Sequence, residues 1–250
     1  MRYDLMGKNK TGKYLKYAIG EIILVVIGIL IALQINNWNE NRKSKTIEKE
    51  YLNGMLRNLK SDINELDRHI GLDTIRFDAY TYLIRTFSSN SSTSIEQEIV
   101  SNINSIMTQH WFEGQNTVFE DMKSSGKLYF ITSDTLRIAI QKYYGLFKEV
   151  IKQEDLVLIE IKKYSQQEIP GYNTSSFFEP LFPDRWNGNT GPPSLSFMKN
   201  PDFNNIKLNM IDDWSTRKAY EFSAHNVRVK LNQEATSLSK MIEQYLTDKK

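Results

Sequence analysis

The chain has 250 residues, a formal charge of +2 and no cysteine, which is length enough for one membrane segment and one folded domain. Its first seventeen residues hold five basic groups (Arg2, Lys8, Lys10, Lys13, Lys16) against the single acid Asp4, so the remainder is close to neutral. That balance argues against nucleic acid as a partner, and the absence of cysteine excludes a lipid-anchored lipoprotein.

Residues 18–35 read AIGEIILVVIGILIALQI, and positions 22–33 carry no polar side chain. As a helix the segment runs roughly 27 Å, the thickness of a hydrocarbon core. Tyr14 and Tyr17 before it and Trp38 after it suit the two interfacial belts. No small-residue cleavage site follows the run, so the reading is an uncleaved signal anchor rather than a removable signal peptide. After the helix come Arg42, Lys43, Lys45 and Lys49, interleaved with Glu40, Glu48 and Glu50. Five basic residues before and four after favour a cytoplasmic N-terminus, with the bulk of the chain outside. The basic tail is explained by this topology and by anionic headgroups.

Within the span, Glu21, Gly28 and Ala32 lie at steps of seven and four, which return to one helix face. Gly28 and Ala32 form a small-xxx-small pair that admits a second helix. Glu21 either snorkels to the headgroups or packs against that partner, and an ionisable residue in a span is a functional hypothesis. The expected partners are the lipid bilayer and a second copy of the chain or a larger membrane complex.

Residues 12–43, GKYLKYAIGEIILVVIGILIALQINNWNENRK, closely resemble the N-terminal signature of an uncharacterised family of small single-pass membrane proteins common in Bacteroidota. Residues 116–144, NTVFEDMKSSGKLYFITSDTLRIAIQKYY, resemble that family's central motif. The resemblance implies a bacterial inner membrane and brings no established activity.

Beyond the span, residues 46–87 show helical spacing through Ile47, Tyr51, Met55, Leu59, Ile63, Leu66 and Ile70. The stretch 36–39, Asn-Asn-Trp-Asn, has weak helix propensity and reads as a joint or a short helical bridge. Residues 88–93 form a small polar loop. Ser94 with Gln97 and Thr117 with Glu120 have the capping-box pattern, opening helices at about 94–108 and before Gly126, which closes the second as a C-terminal cap. A long helix is predicted over 133–166, with Leu136, Ile140, Tyr143, Phe147, Ile151, Leu158 and Ile161 as its stripe. Residues 167–200 are rich in proline, glycine and asparagine yet carry Phe177, Phe178, Phe182 and Trp186. Disordered linkers are poor in aromatics, so this is an ordered loop packed on the helices and a candidate binding loop. Pro201 starts a short helix. A final helix over 213–246 shows Ala224, Val227, Leu231, Leu238, Met241 and Tyr245. The fold expectation is all-α: one transmembrane helix, then an extracytoplasmic bundle with three long helices.

Signals for chemistry are sparse. Ser124-x-x-Lys127 satisfies the S-x-x-K pattern of penicillin-interacting serine enzymes, but the only Lys-Thr-Gly, residues 10–12, precedes the span and no S-D-N follows. A helix C-terminus with its glycine and flanking lysines explains the same residues. His69, His110 and His225 are far apart and none stands at ligand spacing. Asp212 with Asp213 and Glu120 with Asp121 read as solvated faces or caps. No cofactor or metal is expected. The leading reading is a membrane-anchored, non-enzymatic binding, scaffold or sensor-like module; the alternative is an envelope hydrolase or transferase acting through Ser124 and Lys127.

Overall fold

A computed structural model of the chain describes residues 10–89, 96–166 and 201–249. Among these residues every regular element is helical: α1 Lys10–Ser88, α2 Glu96–Met107, α3 Thr117–Ser124, a 3-10 turn Lys127–Phe130, α4 Asp134–Gln166 and α5 Phe203–Asp248. The aromatic stretch with Phe177, Phe178, Phe182 and Trp186, and the residue Ser94, lie outside the described residues. The chain divides into two compact units, Met1–Leu52 and Asn53–Lys250.

The first unit is helical wherever it is described. Its apolar side chains from Ile22 to Leu33 are all exposed, so this part of α1 is long and apolar enough to cross a membrane. Tyr14, Tyr17 and Trp38 are exposed at its two ends. Positions 36–39 are helical. Individual propensities there are unfavourable by only tenths of a kcal/mol per residue, about 0.5, and good helix formers stand on both sides.

In the second unit, buried positions recur with an alternating step of four and three. In α1 they are Met55, Leu59, Asp62, Leu66, His69, Asp73, Arg76, Tyr80, Leu83 and Phe87. In α4 the same rhythm gives Leu136, Ile140, Tyr143, Phe147, Val150, Glu154 and Val157. That is the heptad spacing of helices packed lengthwise. Hydrogen bonds fix the directions. Asp62 meets Tyr143 and Asp73 lies level with Glu154, so α1 and α4 are parallel. Asp67 meets Asn232 and Arg76 meets Glu221, so α5 runs antiparallel to α1. Lys142 with Glu234 and Gln153 with Ser223 set α5 antiparallel to α4.

One end of the core is purely apolar, with Leu83, Phe87, Ile99, Ile103, Ile106, Ile206, Met210 and Trp214 in one cluster. At the other end Phe119 of α3 stacks on Tyr144 of α4 at 4.0 Å. The middle is polar.

Three expectations for local structure are corrected. Residues 203–248 are one helix rather than a short helix and a long one, because no glycine or proline interrupts that run. Thr117 is the first helical residue, Asn116 is the cap, and no side-chain capping bond forms. The Glu120 N–H makes the first intrahelical bond, donating to the Asn116 carbonyl at 2.9 Å. Asp213 is buried at 1% exposure rather than solvated. Gly126 does close α3: its φ is +68°, and its N–H reaches the Lys123 carbonyl at 3.2 Å. The start of α4 is capped by Ser133, whose hydroxyl accepts from the Leu136 N–H at 3.3 Å.

Candidate functional site

The polar middle of the second unit is built on heptad positions that carry charge. Arg228 of α5 donates through Nη1 to both Asp73 oxygens, at 3.1 and 2.9 Å. Its Nε and Nη2 donate to Glu154 Oε1 at 2.9 and 2.7 Å. All three side chains are buried, with the arginine only 4% exposed. His225, one turn back on α5, lies with Nδ1 3.1 Å from Asp73 Oδ2. One level along, Arg76 Nη2 donates to Glu221 Oε1 at 2.5 Å and to Gln109 Oε1 at 2.9 Å. The Tyr80 hydroxyl donates to the same Glu221 oxygen at 2.9 Å. Beyond these, Arg217 Nε donates to Asp213 at 2.6 Å.

These carboxyls are pulled two ways. Burial lifts Glu154, Glu221 and Asp213 above the usual carboxylate range, while Arg228, Arg76 and Arg217 respectively draw them back. Burial also works against the Arg228 cation, but Asp73 and Glu154 outweigh it and raise its pKa. Burial raises the phenols of Tyr80 and Tyr143. Glu221 Oε2, Arg76 Nε and the Tyr144 hydroxyl are buried without a hydrogen-bond partner among the described residues.

A second layer holds a stretch of irregular backbone. Residues 108–116, between α2 and α3, make no regular structure, so their N–H groups find acceptors from elsewhere. Three carboxylates supply them. Phe112 N–H donates to Glu154 at 3.0 Å, Glu113 N–H to Glu65 at 3.0 Å and Gln115 N–H to Asp62 at 2.7 Å. The other Asp62 oxygen accepts from the Tyr143 hydroxyl at 2.7 Å. Burial pushes the Asp62 carboxyl up to about 6 despite those two bonds. The Phe112 ring, 2% exposed, meets Phe147 edge-on at 5.4 Å. Between them Gly114 has φ +43°, and an added Cβ would press on both rings.

The structure gathers the histidines that the sequence scatters. The His69 and His110 rings meet edge-on at 5.9 Å, and His225 reaches the helix that carries His69. Arg68 Nη2 lies 3.3 Å from His69 Nε2, and the Glu65 carboxylate lies 3.6 Å from the same ring nitrogen. Burial first, then Arg228 and Arg68, lower the His69 pKa. Burial and Arg68 lower that of His110. Among the described residues no group of three His, Asp or Glu side chains is arranged to hold a metal ion.

The residues singled out by sequence fall elsewhere. Ser124 ends α3 and its hydroxyl donates to the Asp121 carbonyl at 3.2 Å; Lys127 opens the 3-10 turn. Glu21, Gly28 and Ala32 are exposed in the first unit. At Gly28 nothing lies within 4 Å of where a Cβ would stand. Apolar periodicity does not mark the charged interior, because Asp62, Asp73, Arg76, Glu154 and Arg228 are not apolar. Its trace in sequence is a charged residue at each place where the four-three rhythm calls for an apolar one.

A family model described as a family of unknown function (DUF6090) matches residues 21–176. No curated protein and no solved structure matches the chain.

Proposed function

The chain belongs to the family of unknown function DUF6090, and on that premise we propose that it is a membrane-anchored, non-enzymatic binding module of the bacterial envelope, acting through protein–protein contacts. In this reading residues 1–17 are a cytoplasmic basic tail, 18–38 a signal anchor in the inner membrane, and 39–250 a periplasmic helical bundle. One observation carries it: a wholly exposed apolar run heads a chain whose central ionisable side chains are turned inward upon one another. Exposed apolar surface of that extent needs a cover, and a bilayer supplies it. Charges matched to each other and to a backbone segment hold a shape rather than face a substrate.

Topology is tested by fusions after Lys250. An exported phosphatase should be active there and a cytoplasm-only fluorophore dark; the opposite pair of results overturns the orientation. Crosslinking in native membranes should capture a protein partner. Labelling of the full chain by a serine-reactive probe, lost in Ser124→Ala, would overturn the non-enzymatic reading in favour of a hydrolase.

A further inference from the structure

Just past the apolar run, Trp38, Arg42, Lys45 and Lys49 follow at steps of four, three and four. At about 100° per residue they fall within a sector of roughly 60°. All four are exposed. Glu40, Glu48 and Glu50 lie outside that sector, with Glu40 paired to Lys43 at 3.3 Å on another side. The helix thus separates its charges: one face is basic and headed by a tryptophan, and the acids are kept off it.

The Arg42 guanidinium lies 5.5 Å from the centre of the Trp38 ring. It is therefore folded back by one turn, toward the apolar run. Arg42 stands seven residues past Ile35, roughly 10 Å along the axis, and the fold-back returns its charge by about 5 Å. That is within the headgroup layer, roughly 5–7 Å deep on each side of the hydrocarbon. Basic residues on the translocated side oppose the cytoplasmic-N-terminus orientation, and the three on this face stand together, apart from Lys43 with its Glu40 partner.

We propose that the face made by Trp38, Arg42, Lys45 and Lys49 docks on the phosphates of anionic phospholipid headgroups. The inference rests on the membrane reading above and adds a lipid class to it. Arg42 takes the phosphate nearest the hydrocarbon, with Trp38 at the same depth. Lys45 acts over longer reach, and Lys49, about 21 Å past Ile35 along the axis, contributes least.

The test uses the full chain in nanodiscs of phosphatidylcholine with a minority of phosphatidylglycerol, counting the lipids that stay bound in native mass spectrometry. Wild type should retain phosphatidylglycerol above its bulk share. The combined variant Arg42→Gln, Lys45→Gln, Lys49→Gln should lose that enrichment and return phosphatidylglycerol to its bulk share, with Arg42→Gln alone removing the largest part. Lys43→Gln, which removes one charge from another face as Arg42→Gln removes one from this face, should keep it. Enrichment that survives the combined variant, or falls equally in Lys43→Gln and Arg42→Gln, overturns the proposal. A chain stripped from membranes by alkaline carbonate overturns the membrane reading and this one with it; a chain that stays embedded without lipid preference overturns this one alone.

Discussion

Arg228→Met is the sharpest probe of the polar interior. Methionine fills much of the same space, but Asp73 and Glu154 are left buried without the cation that donates four hydrogen bonds to them. Removing one partner of a buried ion pair costs about 3–5 kcal/mol, a large part of the roughly 5–15 kcal/mol that holds a domain folded. The loss should depend on pH. Burial already holds Glu154 above its ordinary 4.5, with Arg228 opposing, so deleting the arginine lifts it further. A carboxyl whose folded pKa exceeds its unfolded value contributes stability that is present below the unfolded pKa and lost as pH rises through the folded one. The deficit of the variant is therefore largest near neutrality and shrinks as pH falls through the raised Glu154 value toward 4.5. Urea unfolding of the full chain in mild detergent, followed by helical circular dichroism near neutral pH and again near roughly pH 5, reads both effects. The combined variant Asp73→Leu, Glu154→Leu, Arg228→Met should lose less than the single one, about 1–3 kcal/mol, because what remains is chiefly the Phe112 N–H without its acceptor. An Arg228→Met chain as stable as wild type, or one equally weakened at both pH values, would refute this account of the interior.

Gly114→Ala should cost about 1–3 kcal/mol, since φ is +43° and the new Cβ meets the Phe112 and Phe147 rings. Gly126→Ala, at φ +68° with open space around it, should cost less, about 1 kcal/mol; the reverse order in unfolding midpoints contradicts the packing. Wild type should gain stability from Asp62 as pH falls through about 6 toward 3.8, and Asp62→Asn should flatten that part of the melting-temperature profile. Gly28→Leu and Ala32→Leu should weaken self-association in a membrane reporter assay while Val26→Leu, off that face, leaves it unchanged; equal behaviour of all three makes the helix a plain anchor.

Helical content was legible because four-three spacing is a strong signal over long segments. What the spacing does not reveal is which member of an adjacent pair points inward. In α1 the apolar count selects Ile63 and Ile70, while the core takes Asp62 and His69 beside them and leaves those isoleucines half-buried. In α5 it selects Val227 and Met241, while Arg228 and Ile242 are buried. In α4 it moves from Phe147 to Ile151 and Leu158, whereas the buried line continues through Val150, Glu154 and Val157. At Asp62 and Arg228 the residue that takes the buried place is charged. A lone charge reads as solvent-facing, and only its partner, distant in sequence (Asp73 and Arg228 are 155 residues apart), reverses the reading. Glu21, Gly28 and Ala32 were legible as a face from spacing alone, since one helix needs no tertiary partner to set its register.

The bonds that hold residues 112–115 are made by main-chain donors to side-chain acceptors. Chemical constraint is therefore divided unequally between the two sides of the contact. At positions 113 and 115 the side chains are exposed, and nineteen residue types out of about twenty carry the N–H that Glu65 and Asp62 require. Such positions are free to drift, with proline the one exception because it has no hydrogen to give. At Asp62, Glu65 and Glu154 the acceptor is the side chain itself. The segment can thus acquire new surface chemistry without altering its path, provided the helices beneath it keep their carboxylates.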